Sequence, residues 1–445
     1  MTADIGTRLA NRILWGLLIG AAAGGLTLLV GKAYPGFLDA ARQFATLVLD
    51  PLGQVFLRML FFVVIPLVFA SLATGVAQLD RLSQLGPMAV RTFILFFLNM
   101  AIAVTLGLVM MNVLEPGAAM EPESRVRLLE EYGGDAAAHV AKRAEAPDVT
   151  PMTVVEMFMP RNLFGAFVGN NRNALGDVLP LILFAILVGA AALKLPGERR
   201  DQLRSGLSLV NELMTGIVHF ALRLAPYAVP AMIYSVVVKI GWDIVIALGV
   251  FVAGCITVML LHLFGTMSVW LRLLARRNPL ETFKLMRPVL ATAFSTSSSA
   301  ASLPTALAVA REDLGVRAPV AGFVLPLGTT MNMSGTALFE GCVVLFVAQV
   351  FGIELGFAQQ VTLVLLAVLS AVAVSAIPGG ALPLVAGLLA AFGIPPEGIG
   401  IILGVERLLD MTRTMVNVGS DVVTTIVVDR YTQLEGANAH GDSHA

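Results

Sequence analysis

Long runs without Asp, Glu, Lys or Arg alternate with short charged turns along the chain. The charge-free runs are 13–31, 59–79, 92–114, 244–271, 288–310, 318–339 and 355–396. A helix of about 20 residues crosses the hydrocarbon core of a bilayer, so these runs predict membrane-spanning helices. Shorter apolar pieces at 178–193, 213–222 and 224–238 have polar interruptions such as Arg172, Glu212 and Arg223. Regular period-2 alternation is absent, which argues against a β-barrel. The first run lacks a small-residue cleavage site and is followed by further runs, so it reads as a retained first helix and not a removed signal.

Composition agrees. Of 445 residues 57% are hydrophobic and only 13% charged, against about 25% charged in soluble domains. The chain is expected to be a multi-pass protein of the lipid bilayer. A net charge of −1 offers no basic face for nucleic acid. Cys255 and Cys342 lie in apolar stretches and match neither a disulfide framework nor a zinc-site spacing. Basic residues collect at Arg8 and Arg12, at Arg81 and Arg91, at 194–204 and at 272–287, while loop 115–150 is acidic. The positive-inside rule then places the basic segments in the cytoplasm and the acidic loop outside. Six spans before residue 280 and cytoplasmic termini follow. The compact loops suit a prokaryotic inner membrane.

The later runs are full of helix breakers and hydroxyls. Phe294 to Pro304 contains a serine run, Gly328 to Thr336 interrupts 318–339, and Ile377-Pro378-Gly379-Gly380-Ala381-Leu382-Pro383 interrupts 355–396. Forty-two uncharged residues broken by Pro-Gly-Gly read as two half-length helices meeting at a tip. Irregular backbone at membrane depth is tolerated only where protein surrounds it, and paired broken segments mark substrate sites of secondary transporters. A small-residue packing face is the plainer reading of any one such segment, but three in succession favour a site.

The last apolar segment carries Glu406, Asp410, Arg413, Asn417 and Asp421 at spacings of 4, 3, 4 and 4. At roughly 100° per residue they form one stripe about 80° wide, flanked by Thr414. Buried ionisable groups are costly and mark function in a membrane. Three acids and one arginine leave excess negative charge for a cation or a substrate ammonium to offset. The planar fork of Arg413 suits a carboxylate, although a purely structural bridge to Asp410 or Glu406 is the alternative. Freed backbone carbonyls around Gly328, Thr330 and Asn332 are hard oxygen ligands suited to Na⁺. These residues together point to a cation-coupled carrier for a small anionic or zwitterionic solute.

Asp410-Met411-Thr412-Arg413-Thr414-Met415-Val416-Asn417-Val418-Gly419-Ser420-Asp421 resembles the last-helix signature of the dicarboxylate/amino acid:cation symporters, the glutamate transporter family. The serine run at 295–302, Asn332-Met333-Ser334-Gly335-Thr336, Pro378-Gly379 and Pro66 to Leu72 resemble its first hairpin, seventh helix, second hairpin and second helix. The resemblance implies an all-α fold of eight transmembrane helices and two re-entrant hairpins with inverted repeats, a homotrimer, and elevator-type alternating access. It divides the chain into scaffold helices at 1–90, a third helix of the transport domain at 91–114, and an extracytoplasmic loop at 115–154. Scaffold helices at 155–240, the rest of the transport domain at 241–433 and a polar tail at 434–445 follow.

By that resemblance Asp410 binds a substrate ammonium and Arg413 a side-chain carboxylate. Asn417 and Ser299 hold the α-carboxylate with Ser298 and Thr414 beside them, and Thr336 supports the distal carboxylate. The second hairpin from Ile377 to Ala381 gates the site. One Na⁺ uses Asp421, Asn417, Asn332 and the Gly328 carbonyl, and another uses carbonyls near Thr330 and Val374. Keeping both Asp410 and Arg413 resembles carriers of L-aspartate and L-glutamate, with C4-dicarboxylate and neutral amino acid carriers as alternatives. Ser334, Asn99 and Met100 depart from residues that build a third sodium site in relatives, which implies that this site is absent or altered. Ser297 and Met411 stand where an arginine is usual. Glu340 occupies the position that carries a proton in H⁺-coupled members.

Two other classes fit less well. A channel favours rings of charge, whereas the polar groups here concentrate in one cluster. For an intramembrane enzyme, His139, His440 and His444 lie in polar segments, His219 and His262 are solitary in apolar ones, and no Ser/His or paired-Asp arrangement appears.

Overall fold

The computed structural model describes residues 2–77, 87–117, 159–168, 178–374 and 381–441. Most of the acidic loop, the turn with Arg81, and Ile377 with the Pro-Gly-Gly tip lie outside the described residues, as do His139 and His444. Everything regular among the described residues is helical. The helices are α1 (Thr2–Ala33), α2 (Pro35–Phe44), α3 (Asp50–Phe61), α4 (Val64–Ala77), α5 (Pro87–Leu114), α6 (Leu163–Val168), α7 (Val178–Ala192) and α8 (Gly197–Ile240). They continue as α9 (Asp243–Leu260), α10 (Met267–Leu273), α11 (Pro279–Thr296), α12 (Ser299–Ala308), α13 (Ala318–Met331), α14 (Ser334–Val350), α15 (Phe357–Ala373), α16 (Leu382–Ala391) and α17 (Ile399–Gly441).

Among the described residues, four helical stretches are long and apolar enough to cross a membrane: Trp15–Ala33, Pro87–Leu114, Asp243–Leu273 and Ala318–Val350. The chain is an integral membrane protein. The run 244–271 is one continuous crossing, α9 passing into α10 through a π-helical turn at Leu261–Thr266. The apolar pieces 213–222 and 224–238 also merge, because α8 runs unbroken past Arg223, Pro226 and Pro230. Hydropathy separated them only because Arg223 is exposed on one side of that helix.

Packing sorts the helices into two groups. In the first, α1 lies along α8, and α8 also meets α3 and α4, with α7 on α4. In the second, α17 is central and is met by α9, α11, α13 and α14, while α5 covers α14. The contact of α1 with α8 follows from a stripe of small residues, the usual device for close helix approach where lipid removes the hydrophobic drive. Gly16, Gly20 and Gly24 recur every fourth residue and face Pro230 and Val237 of α8. A Cβ on Gly20 would stand 2.6 Å from the Pro230 carbonyl oxygen, so backbone must move. Gly20→Val is therefore expected to destabilise the protein by about 1–3 kcal/mol. A lowered melting temperature in detergent checks this, with Gly36→Val, where a Cβ meets nothing within 4 Å, as the control.

The second group is built on broken helices. Asn278 caps α11 by accepting from the Leu280 N–H at 3.1 Å, with Pro279 in the first turn, a favourable N-terminal pairing. α11 ends where Ser297 takes a left-handed backbone at φ +50°. Ser298 then starts α12, its hydroxyl accepting from the Ala301 N–H at 3.2 Å. α13 and α14 are interrupted at Asn332 and Met333, both non-helical. α14 is buried along nearly its whole length, so this irregular backbone meets protein and not lipid.

Candidate functional site

α17 positions the polar stripe. Glu406, Asp410, Arg413, Thr414, Asn417 and Asp421 are all buried. Arg413 Nη2 donates to Asp410 Oδ1 and, at 3.4 Å, to Glu406 Oε1. Its guanidinium also lies 4.8 Å from the centre of the Phe339 ring on α14, a cation–π contact that strengthens when desolvated. Arg413 Nη1 is buried without a hydrogen-bond partner among the described residues. The guanidinium is thus bonded through one nitrogen and, among the described residues, unbonded at Nη1, and a planar guanidinium can bind a carboxylate at two nitrogens.

One participant escaped the stripe. Arg407 is buried and reaches about one turn forward to Asp410 Oδ2 at 3.3 Å. The charge count from Glu406 to Asp421 is therefore three acids against two arginines, an excess of one negative charge and not two. Arg407 sits about 40° beyond the edge of the stripe, so periodicity leaves it out. Its length brings it in, and the only sequence signal is an arginine in an otherwise apolar turn.

Asp421 holds that excess. Its Oδ1 accepts from Asn332 Nδ2 at 2.8 Å, and Asn332 Oδ1 accepts from Asn99 Nδ2 of α5 at 2.9 Å. No cationic side chain pairs with Asp421 among the described residues. Gly328 makes the approach possible, since a Cβ there would stand 2.5 Å from Asp421 Oδ1. A buried carboxylate without a counter-charge, beside the carbonyl-bearing end of α13, suits a hard cation. Thr330, by contrast, is exposed and its hydroxyl donates to the Leu327 carbonyl at 3.0 Å. Ser334 is fully buried and shares a 2.9 Å hydrogen bond with Ser420, so it presents no charge.

Asn417 ties the two polar centres together. Its Oδ1 accepts from the Gly335 and Thr336 N–H groups at 2.8 and 3.2 Å, and its Nδ2 donates to Thr336 Oγ1 at 3.1 Å. The N-terminal donors of α14 at Gly335 and Thr336 are thus engaged by this amide. The N-terminus of α12 is next in line, with Ser299 buried and Ser298 half-buried at its start. Ala381 and Val374, flanking the second break, are buried, and the Val374 backbone is extended. Ile377 between them lies outside the described residues.

Glu340 on α14 is fully buried. Its Oε1 accepts from Ser370 Oγ of α15 at 3.2 Å, and its Oε2 has no partner among the described residues. Met100 is also fully buried, and Asn99 Oδ1 is a buried acceptor without a partner there. His262 is packed inside the π-helical turn with neither ring nitrogen bonded among the described residues.

Helices broken inside a protein-lined bundle, with buried polar groups of α17 bonded at the Asn332–Met333 break, define a polytopic helical membrane protein with an internal polar site. The chain belongs to the sodium:dicarboxylate symporter family, whose model matches residues 9–431. It is 30% identical over 431 residues to the proton/sodium-glutamate symport protein of Bacillus subtilis, covering 95% of this chain and 92% of the relative. It is 28% identical to the proton/glutamate-aspartate symporter of Escherichia coli, with 95% and 92% covered. The C4-dicarboxylate transport protein of Deinococcus radiodurans is 30% identical, over 91% of this chain and 86% of that protein.

Proposed function

We propose that the protein is a secondary symporter that moves L-aspartate or L-glutamate on cation gradients, with C4-dicarboxylates as the second reading. The observation that carries this is the half-satisfied Arg413 beside Asp410, about two helical turns from the uncompensated Asp421 pocket. An acidic amino acid offers one carboxylate for Arg413 and an ammonium for Asp410. A dicarboxylate uses only the first. The retained aspartate therefore favours the amino acid, in keeping with the names of two of the three relatives.

In this reading Asp410 takes the ammonium and Arg413 the side-chain carboxylate. Asn417, Ser298, Ser299, Thr336 and Thr414 surround the rest of the substrate. Asp421, Asn417, Asn332 and the Gly328 carbonyl hold one Na⁺, and carbonyls near Thr330 and Val374 hold a second. The segment from Ile377 to Ala381 opens and closes the site. In a fold of eight spans and two re-entrant hairpins, the group α1–α4, α7 and α8 acts as a fixed scaffold and the group around α17 slides against it. Three copies assemble in a prokaryotic inner membrane with both termini in the cytoplasm.

Uptake of labelled aspartate and glutamate into proteoliposomes under imposed Na⁺ or H⁺ gradients, separately and together, tests the reading. Accumulation driven by Na⁺ supports the Asp421 site, whereas accumulation on a proton gradient alone removes the sodium assignments. Glu340 is assigned to proton coupling, because one carboxylate oxygen lacks a partner among the described residues in a wholly buried place. Glu340→Gln is expected to flatten the pH profile of uptake while keeping substrate selectivity. A mutant with the wild-type pH profile would take the proton elsewhere.

A further inference from the structure

We infer that Arg407 sets which acids the carrier accepts: it holds the oxygen of Asp410 that a substrate ammonium would use, so a dicarboxylate without an ammonium binds with Arg407 in that place. The inference rests on the symporter reading and deepens it. Two arginines of α17 bracket Asp410, three residues before it and three after. Arg413 Nη2 donates to Asp410 Oδ1, and Arg407 Nη1 donates to Asp410 Oδ2 at 3.3 Å. Each carboxylate oxygen therefore already has a cation, and an ammonium arriving at Asp410 competes with one of them.

The two arginines are held differently, and the difference decides which one yields. Arg413 has a second carboxylate, Glu406, at 3.4 Å and the Phe339 ring against its guanidinium. Arg407 has neither. Its bond to Asp410 is its one hydrogen bond among the described residues, and its Nε is buried there without a partner. A charge-assisted bond runs at about 2.7–2.9 Å, so 3.3 Å is long. A buried arginine held so loosely makes a poor staple, because taking its charge out of water is offset only by good geometry and further hydrogen bonds. It suits a resident counter-ion that gives way to a substrate cation. Specificity follows from the same pairing. A site that relies on a substrate N–H rejects the analogue lacking it by about 10⁴-fold or more, because a buried polar group is left unpaired. With Arg407 on Asp410 that penalty is removed, and one site takes both C4-dicarboxylates and acidic amino acids.

The test measures the dissociation constants of succinate and L-aspartate by calorimetry on the full chain, in Na⁺ buffer at neutral and at acidic pH. Wild type is expected to bind succinate within about tenfold of aspartate, since the group that would otherwise penalise succinate has its partner. Arg407→Met, uncharged and unbranched, should raise the ratio of the succinate constant to the aspartate constant at least about tenfold, the size of one lost bond to a charged group. Arg407→Lys restores the charge and should return the ratio towards wild type. An arginine that only supports the fold would weaken both acids alike in Arg407→Met and leave the ratio unmoved, which would overturn the inference. Rejection of succinate by more than about a hundredfold in wild type would overturn it without any variant, and covers the case in which Arg407→Met does not fold. If wild type binds neither acid, the symporter reading falls and the inference with it. If both bind and the ratio does not move, the inference alone falls.

Discussion

Arg413→Ala is expected to reduce uptake of acidic substrates at least about 30-fold. Removing one partner of a buried, hydrogen-bonded charge pair costs about 2–5 kcal/mol, and about 1.4 kcal/mol is a factor of ten. Arg413 holds Asp410 and Glu406 together on one edge of its guanidinium. Its loss removes the group that would meet the substrate carboxylate and leaves two acids with Arg407 as their remaining cation. Neutral amino acids do not need the lost contact, so any residual transport should shift towards them. Competition assays with serine and aspartate against labelled substrate check the shift. Aspartate affinity at the wild-type level in this variant would refute the role of Arg413.

The second large effect is expected at Asp421. Asp421→Asn keeps the shape and the hydrogen bond with Asn332 but removes the charge. Interactions with a charged group are worth about 1.5–3 kcal/mol, so the Na⁺ concentration for half-maximal uptake should rise at least about tenfold. Gly328→Ala attacks the same place sterically, because its Cβ would meet Asp421 Oδ1 at 2.5 Å. The two variants should share a weakened Na⁺ dependence with the preference among acidic substrates unchanged. Sodium titrations of uptake measure this. If both variants titrate like wild type, the cation binds elsewhere.

How far these residues were legible depends on the range of their contacts. The stripe on α17 is visible because a regular helix converts spacing directly into a face, and every member of it is buried. The breaks at Ser297 and at Asn332–Met333 were visible because serine, glycine and asparagine interrupt apolar runs there. Arg407 was not, since it lies off the stripe and only a long side chain brings it to Asp410. The link from Asn99 through Asn332 to Asp421 joins residues 233 and 89 positions apart, and no local pattern encodes such a pairing. α8 was hidden for the opposite reason. Its exposed polar residues and two prolines look like interruptions, yet Pro230 is accommodated by the glycine face of α1.

The amide of Asn417 has a consequence for how two gradients become one. It is the acceptor for the first N–H groups of α14 and the donor to Thr336, and it stands between Arg413 and Asp421 on one rigid helix. A cation that recruits this oxygen would release the α14 donors, making them available to a carboxylate. A carboxylate that takes those donors would release the oxygen to a cation. Each ligand then raises the affinity for the other by the same factor, as thermodynamic reciprocity requires. The coupling between ion binding and solute binding would run through the rotation of a single side chain.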